Sequence, residues 1–270
     1  MPSTILRATL VLFILATSFL SAPALAGSDP FGPDVFFRHA ETLDAVISPH
    51  GDYLAIITRM PNSRYGCLVI STSDFKDAHV VARSDQTDVL RVSWINDDEV
   101  VVVVADLQNR GVRLAARDTF VARRDGSDTQ QIMSGDWNYH SDATGSHIHQ
   151  HVLTAYYRYL RPYDYKSEDI IVMENNWSNT GELRSTVPKR FNVRTGELQS
   201  MATGTTPVTP TSWLIDAKGQ PRVFTHLEQG VESIYYRAPD SSEWKSSARS
   251  MRSHKPAFRP ISLAPTTPCW

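Results

Sequence analysis

The chain has 270 residues, 41% of them hydrophobic and 21% charged, with 27 basic against 29 acidic side chains. That balance is ordinary for a globular protein and long enough for one large all-β domain or two smaller ones. A net charge of -2 without a basic stripe argues against a nucleic-acid footprint, and two cysteines, Cys67 and Cys269, are too few for a disulfide scaffold.

The N-terminus has the pattern of a secretory signal. Arg7 is a short basic region, Ala8 to Leu20 is an apolar run, and Ala24-Leu25-Ala26 is a small-x-small cleavage site. The apolar run is shorter than the roughly 20 residues needed to span a bilayer. Residues 1–26 are therefore expected to be a signal peptide, with the mature chain exported to the periplasm or the extracellular space and no stable membrane span. Export permits disulfides, but Cys67 falls in a strand and Cys269 in the tail, so a buried Cys67 and a loose Cys269 is the simpler expectation.

Residues 27–45 read as a lead-in segment, with Asp34 to Glu41 a short helix or extended stretch. Pro49-His50-Gly51-Asp52 is then a turn before the strand Tyr53 to Thr58. Cys67 to Ser71 is its antiparallel partner, and His79 to Ala82 follows. Val89 to Asp106 repeats the motif: Arg91, Ser93 and Ile95 alternate with Val92 and Trp94. Asn96-Asp97-Asp98 turns the chain, and Val100 to Val104 is an unbroken β-branched run. Such a run, unlike an alternating one, predicts a strand buried on both faces.

Thr119 to Arg123 and Thr129 to Met133 form a hairpin across Arg124-Asp125-Gly126-Ser127. Residues 135–163, polar and rich in His and Tyr, read as a loop insertion. Strands resume with Asp164 to Asn175, Val187 to Val193 and Leu198 to Met201. Thr211 to Leu227 is again strand, turn, strand, and Ser233 to Arg237, Pro239 to Ser242 and Trp244-Lys245 close that unit.

The units recur about every 46–52 residues once the insertion is set aside. A period of that length with four short strands is the signature of a β-propeller blade. The expected fold is all-β, a partial, open propeller over residues 46–263 with four blades and the start of a fifth at Phe258 to Leu263. Residues 264–270 form an irregular tail.

Three stretches resemble the N-terminal propellers of secreted prolyl-oligopeptidase-family serine peptidases, the acylaminoacyl-peptidase and dipeptidyl-aminopeptidase group. SPHGDYLAI resembles their SPDGxxLAF strand, VSWINDDEVVVVV the next blade with its Trp-x-x-Asp-Asp turn, and FNVRTGELQSM a later hairpin. TolB-like propellers, which are not enzymes, carry similar sequences. In the peptidases the propeller caps a C-terminal α/β-hydrolase domain, so the resemblance implies a partner domain and peptide substrates whose access the propeller gates.

This chain departs from that pattern. It contains no G-x-S-x-G pentapeptide, the strained turn that exposes a hydrolase serine. Ser127 and Ser146 lie in polar loops, Asp216 reads as a turn residue, and His226 and His254 as solvated side chains. No catalytic residue and no cofactor are expected. The sequence is read as a truncated or frame-shifted portion of a longer peptidase, inactive by itself and inclined to associate through open blade edges. The alternative is a stand-alone TolB-like interaction module.

Two constellations remain. His147, His149 and His151, with His140 nearby, would share one face of a strand as a candidate metal set, although a polar loop, with no Cys and no carboxylate nearby except Asp142, is the simpler account. Tyr156, Tyr157, Tyr159, Tyr163 and Tyr165, with Arg158 and Arg161, suit either a ligand mouth or amphipathic packing between blades. Asn176-Trp177-Ser178 fits an N-glycosylation acceptor, relevant only in a eukaryotic host.

Overall fold

The computed structural model describes residues 40–108, 117–137, 152–202 and 204–251, with side-chain environments to residue 247. All its strands belong to the unit Glu41–Trp270. The expected signal peptide, the helix or lead-in before Ala40, the fifth-blade start and the tail lie outside the described residues.

Sixteen strands form four antiparallel four-stranded sheets, each built from consecutive strands. Blade 1 comprises β1 (Thr42–Ile47), β2 (Tyr53–Arg59), β3 (Tyr65–Ser71) and β4 (Ala78–Ala82). Blade 2 comprises β5 (Asp88–Trp94), β6 (Glu99–Ala105), β7 (Asp118–Arg123) and β8 (Gln130–Met133). Blade 3 has β9 (Tyr157–Pro162), β10 (Asp169–Trp177), β11 (Leu183–Asn192) and β12 (Leu198–Ser200). Blade 4 has β13 (Ser212–Ile215), β14 (Pro221–Glu228), β15 (Val231–Tyr236) and β16 (Lys245–Met251). The described chain is an open β-propeller of four blades, with no helix among the described residues.

The β-branched run in β6 shows why the blades stack. Every residue from Glu99 to Ala105 is buried. Val100, Val102 and Val104 pack with Ala55, Ile57 and Val69 of blade 1, whereas Val101 and Val103 pack with Ile170, Val172 and Phe191 of blade 3. Alternate side chains leave opposite faces of a strand, so one run serves two cores. The first strands meet one another: β5 touches β1 on one side and β9 on the other.

Each blade closes its first turn in a similar way. Ile95 N donates to Glu99 O, Tyr163 N to Asp169 O and Asp216 N to Gln220 O. A side chain within the turn accepts further amides: Asn96 from Asp98, Asp164 from Lys166 and Ser167, and Asp216 from Lys218 and Gln220. Short Asn and Asp side chains fill this role because they reach their own backbone two residues on.

Three expectations about elements need correction. The lead-in expected over residues 27–45 gives way to β1 at Thr42, a strand exposed along almost its whole length and so without an alternating signature. The insertion expected over residues 135–163 contains β9. There, Arg and Tyr side chains mask a period whose buried positions are Tyr159 and Pro162. Blade 4 closes with β16, paired to β15, which begins at Lys245 within the expected Trp244-Lys245 stretch and runs on to Met251, whereas Pro239 to Ser242 forms no strand; an edge strand needs no apolar run.

Candidate functional site

The first strands of blades 2 and 3, β5 and β9, meet and bring an arginine and a tyrosine together. Leu90 is skipped in the register, which runs Val89↔Val104 and then Arg91↔Val103, so Arg91 emerges on the Val103 face that looks toward blade 3. It meets Tyr159 there, its guanidinium 5.1 Å from the ring centroid. Tyr159 is buried and packs among Val101, Val103 and Val172. Its hydroxyl lies beside Ser93 but closes no well-formed hydrogen bond, and burial pushes its pKa up.

The next residue back along β9, Arg158, is exposed. Its pKa is lowered, first by the protein mass crowding its guanidinium, then by the positive charges of Arg117 and Arg91. Tyr157, on the opposite face, donates its hydroxyl to Glu174 Oε1 at 3.0 Å, and Lys189 pairs with the same carboxylate at 2.9 Å. Burial, then Glu174, push the Tyr157 phenol up to about 12. Tyr156 precedes Arg158 by two residues and is exposed. It stands edge-on to Trp137 with centroids 5.5 Å apart, and Trp137 stands edge-on to Trp177 at 6.4 Å. Trp177 Nε1 is buried without a partner.

The tyrosine and arginine cluster read from the sequence is therefore split. Tyr157 and Tyr159 pack on the face of β9 that meets blade 2, whereas Arg158 pairs with Met173 on the opposite face. Tyr163 and Tyr165 follow the other end of β9, where Arg190 lies over the Tyr163 ring at 4.6 Å and Tyr165 adopts a positive φ of 62°. Arg161 reaches blade 4, donating to Asp216 O at 2.5 Å.

The metal candidates His147, His149 and His151, and His140, lie outside the described residues. Among the described residues, no group of three or more His, Cys, Asp or Glu side chains is placed to hold a metal ion. Ser127 donates to Asp125 within its own turn, and His226 Nδ1 lies 2.7 Å from Thr209 O. Cys67 is a buried free thiol whose pKa burial raises to about 12. A shallow cleft of about 420 Å³ between blades 3 and 4 is lined by Thr186, Val208, Pro210 and Trp213. Its lining has no titratable side chain, so it offers no acid–base chemistry.

Sequence reasoning missed the contact of Arg91 with Tyr159 and the packing of Trp137 and Trp177. Arg91 and Tyr159 occupy the first strands of successive blades, so aligning blade against blade is the signal that brings them together.

No family model matches the chain, and no curated protein sequence does. Solved structures are similar in part. An oligogalacturonate lyase in complex with manganese matches at 10% identity and a TM-score of 0.47, over 79% of this chain and 55% of the lyase. A puromycin-hydrolyzing peptidase of Mycobacterium tuberculosis matches at 13% identity and a TM-score of 0.40, over 77% and 29%. TolB from Acinetobacter baumannii matches at 9% identity and a TM-score of 0.38, over 76% and 40%. This chain thus spans between 29% and 55% of the length of these proteins, and the likenesses assign it no activity.

Proposed function

We propose that this chain is the propeller portion of an exported serine peptidase of the prolyl-oligopeptidase family, gating peptide access to a hydrolase domain and inactive without it. The reading is carried by the three motif stretches and the places they take in the blades. SPHGDYLAI spans the first turn and second strand of blade 1, and VSWINDDEVVVVV the corresponding turn and strands of blade 2. FNVRTGELQSM forms the outer hairpin of blade 3, where Asn192 N donates to Glu197 O. The pattern at Arg7 to Ala26 supports export, and the absence of G-x-S-x-G supports an inactive chain.

The test has two arms. Nucleotide sequence downstream of the coding region should contain, in one of three frames, a hydrolase-like segment with a G-x-S-x-G elbow. Purified chain should show no turnover of aminoacyl p-nitroanilides. Lack of such a segment favours a stand-alone periplasmic interaction module, in which case the isolated chain should capture a partner protein. Turnover above background overturns both.

A further inference from the structure

Blade 1 is built to be covered on both faces. The first-turn bonds Ser48 N to Tyr53 O, Ile95 N to Glu99 O and Tyr163 N to Asp169 O make Tyr53, Glu99 and Asp169 equivalent starts of second strands. Counting from them, Leu54 and Ile56 stand where Val100 and Val102 stand in blade 2, and Ile170 and Val172 in blade 3. Those valines pack against blade 1, and Ile170 and Val172 against Val101 and Val103 of blade 2, so this face always meets the preceding blade. Among the described residues blade 1 has no preceding blade. Ile47 and Ile70 pair with Leu54, Leu68 with Ile56, and Val80 with Leu68, making one apolar face. Ile47 is 59% exposed and Val80 52%. A sheet face meant for water alternates with polar residues, and these positions carry no polar side chain.

Blade 4 offers the other half of the same contact. Trp213, Phe224 and Tyr235 are cross-strand partners on one face, and Trp213 Nε1 reaches Thr186 O of blade 3. On the opposite face Leu214, Val223 and Tyr236 stand in one row, with Ile234 and Leu227 alongside. Leu214 is 42% exposed and Tyr236 43%, and among the described residues no blade follows. Contiguous exposed apolar surface of this kind marks an interaction site. The arc thus ends in a preceding-type face on blade 1 and a following-type face on blade 4, the two sides of its own interblade contact.

We propose that the partner is a second copy of this chain: blade 4 of each copy packs on blade 1 of the other, and two arcs close one eight-blade ring. Continuity with the interblade contacts already present carries the choice. Contacts of β5 with β1 and with β9 set successive first strands side by side, which turns the blades about a common axis. A contact between unlike faces gives a ring when its rotation closes. Closed propellers have roughly four to eight blades. One copy alone leaves Ile47 and Leu214 exposed, two four-blade copies make eight, and a third would exceed that range. Both contacts form together and bury four faces at once, so neither has to reach by itself the roughly 1,200 Å² of a stable interface. The pairing goes beyond the peptidase reading and does not depend on it.

Sedimentation velocity of the purified chain across a dilution series tests this. Wild type should run at twice the mass of one chain. I47K on blade 1 and L214K on blade 4, both at exposed positions, should keep the wild-type circular dichroism spectrum. Each should raise the dimer dissociation constant at least about tenfold, because a buried unpaired ammonium is costly, while I47V keeps the dimer. In a mixture of isotopically light and heavy wild-type chains, cross-links between copies should join blade 1 to blade 4. A monomer overturns the proposal, whether its end faces are bare or covered by another stretch of its own chain. A dimer weakened by only one of the two lysine variants, or cross-linked blade 1 to blade 1, pairs like faces and overturns it too. A series that grows with concentration shows head-to-tail contact without closure and overturns the ring.

Discussion

His50, in the first turn of blade 1, is clamped to Asp97, in the first turn of blade 2: its amide donates to Asp97 Oδ1 at 3.0 Å and its Nδ1 pairs with Oδ2. Two turns that read from the sequence as separate punctuation are one interblade contact. The same arrangement continues around the arc, where Asn96 Nδ2 donates to Ser167 O and the Tyr163 ring covers Gly219.

This clamp should make blade 1 docking pH-dependent. The hydrogen bond to Asp97, then its charge, raise the His50 pKa above 6.5. Asp97 is lowered below 3.8: its partial burial opposes this, but the hydrogen bonds from the His50 amide and ring outweigh it. The His50 contribution is fully present below the unfolded-state value and is lost as pH rises through the raised folded value. The Asp97 contribution is present above its unfolded value and lost as pH falls through the depressed one. Thermal midpoints of wild type and H50A should therefore differ most between these limits and converge as pH rises toward 9. Parallel profiles across that range would show that the pair contributes nothing.

Arg194 joins blade 3 to blade 2 in a more buried setting. Its Nε donates to Glu99 Oε1 at 2.8 Å and its Nη1 to Asp128 at 2.7 Å, while Glu99 Oε2 has no partner. R194A strands a buried carboxylate and should cost about 3–5 kcal/mol in urea unfolding. E99Q in the R194A background should recover part of that loss. A cost below about 1 kcal/mol for R194A would place the pair among weak surface bridges.

Two tryptophans do equivalent work in alternate blades. Trp94 Nε1 donates to Val46 O at 2.9 Å, and Trp213 Nε1 to Thr186 O at 2.7 Å, each reaching the preceding blade. W94F and W213F should each cost about 1–3 kcal/mol through the orphaned carbonyl and lost packing. The double variant should be additive within about 0.5 kcal/mol because the sites share no partner. Strong coupling in the cycle would instead mean that the four blades unfold with a shared interface term between distant pairs.

Gly126 and Gly230 separate two reasons for glycine. Both have positive φ, 82 and 79 degrees. A Cβ at Gly126 would run into the Val80 carbonyl oxygen of β4, whereas at Gly230 it meets nothing within 4 Å. G230A should cost about 1 kcal/mol from backbone conformation alone, and G126A distinctly more, since the hairpin of blade 2 must then withdraw from blade 1. Equal costs, read from chemical denaturation, would show that the hairpin yields freely.

The blade repeat was legible in the sequence because burial leaves a local trace. The unbroken run Val100 to Val104 and the Asp-, Asn- and Gly-rich turns before second strands report their surroundings through residue type alone. β1 and β9 were not legible as strands, since first strands on an open arc carry exposed or polar side chains and need no apolar alternation. Tyr156, Tyr157 and Arg158 were visible as a candidate mouth, but not their separation from Tyr163 and Tyr165, which follows from the extended rise of the strand between them.

The sequence by itself determined that the chain builds repeating four-stranded units with one strand buried on both faces, and that it holds no nucleophile elbow. Only the tertiary structure decided that Arg91 of blade 2 meets Tyr159 of blade 3. That contact joins strands more than 60 residues apart, and its geometry depends on a skipped residue in β5 and on how two blades stack, neither of which any local spacing encodes.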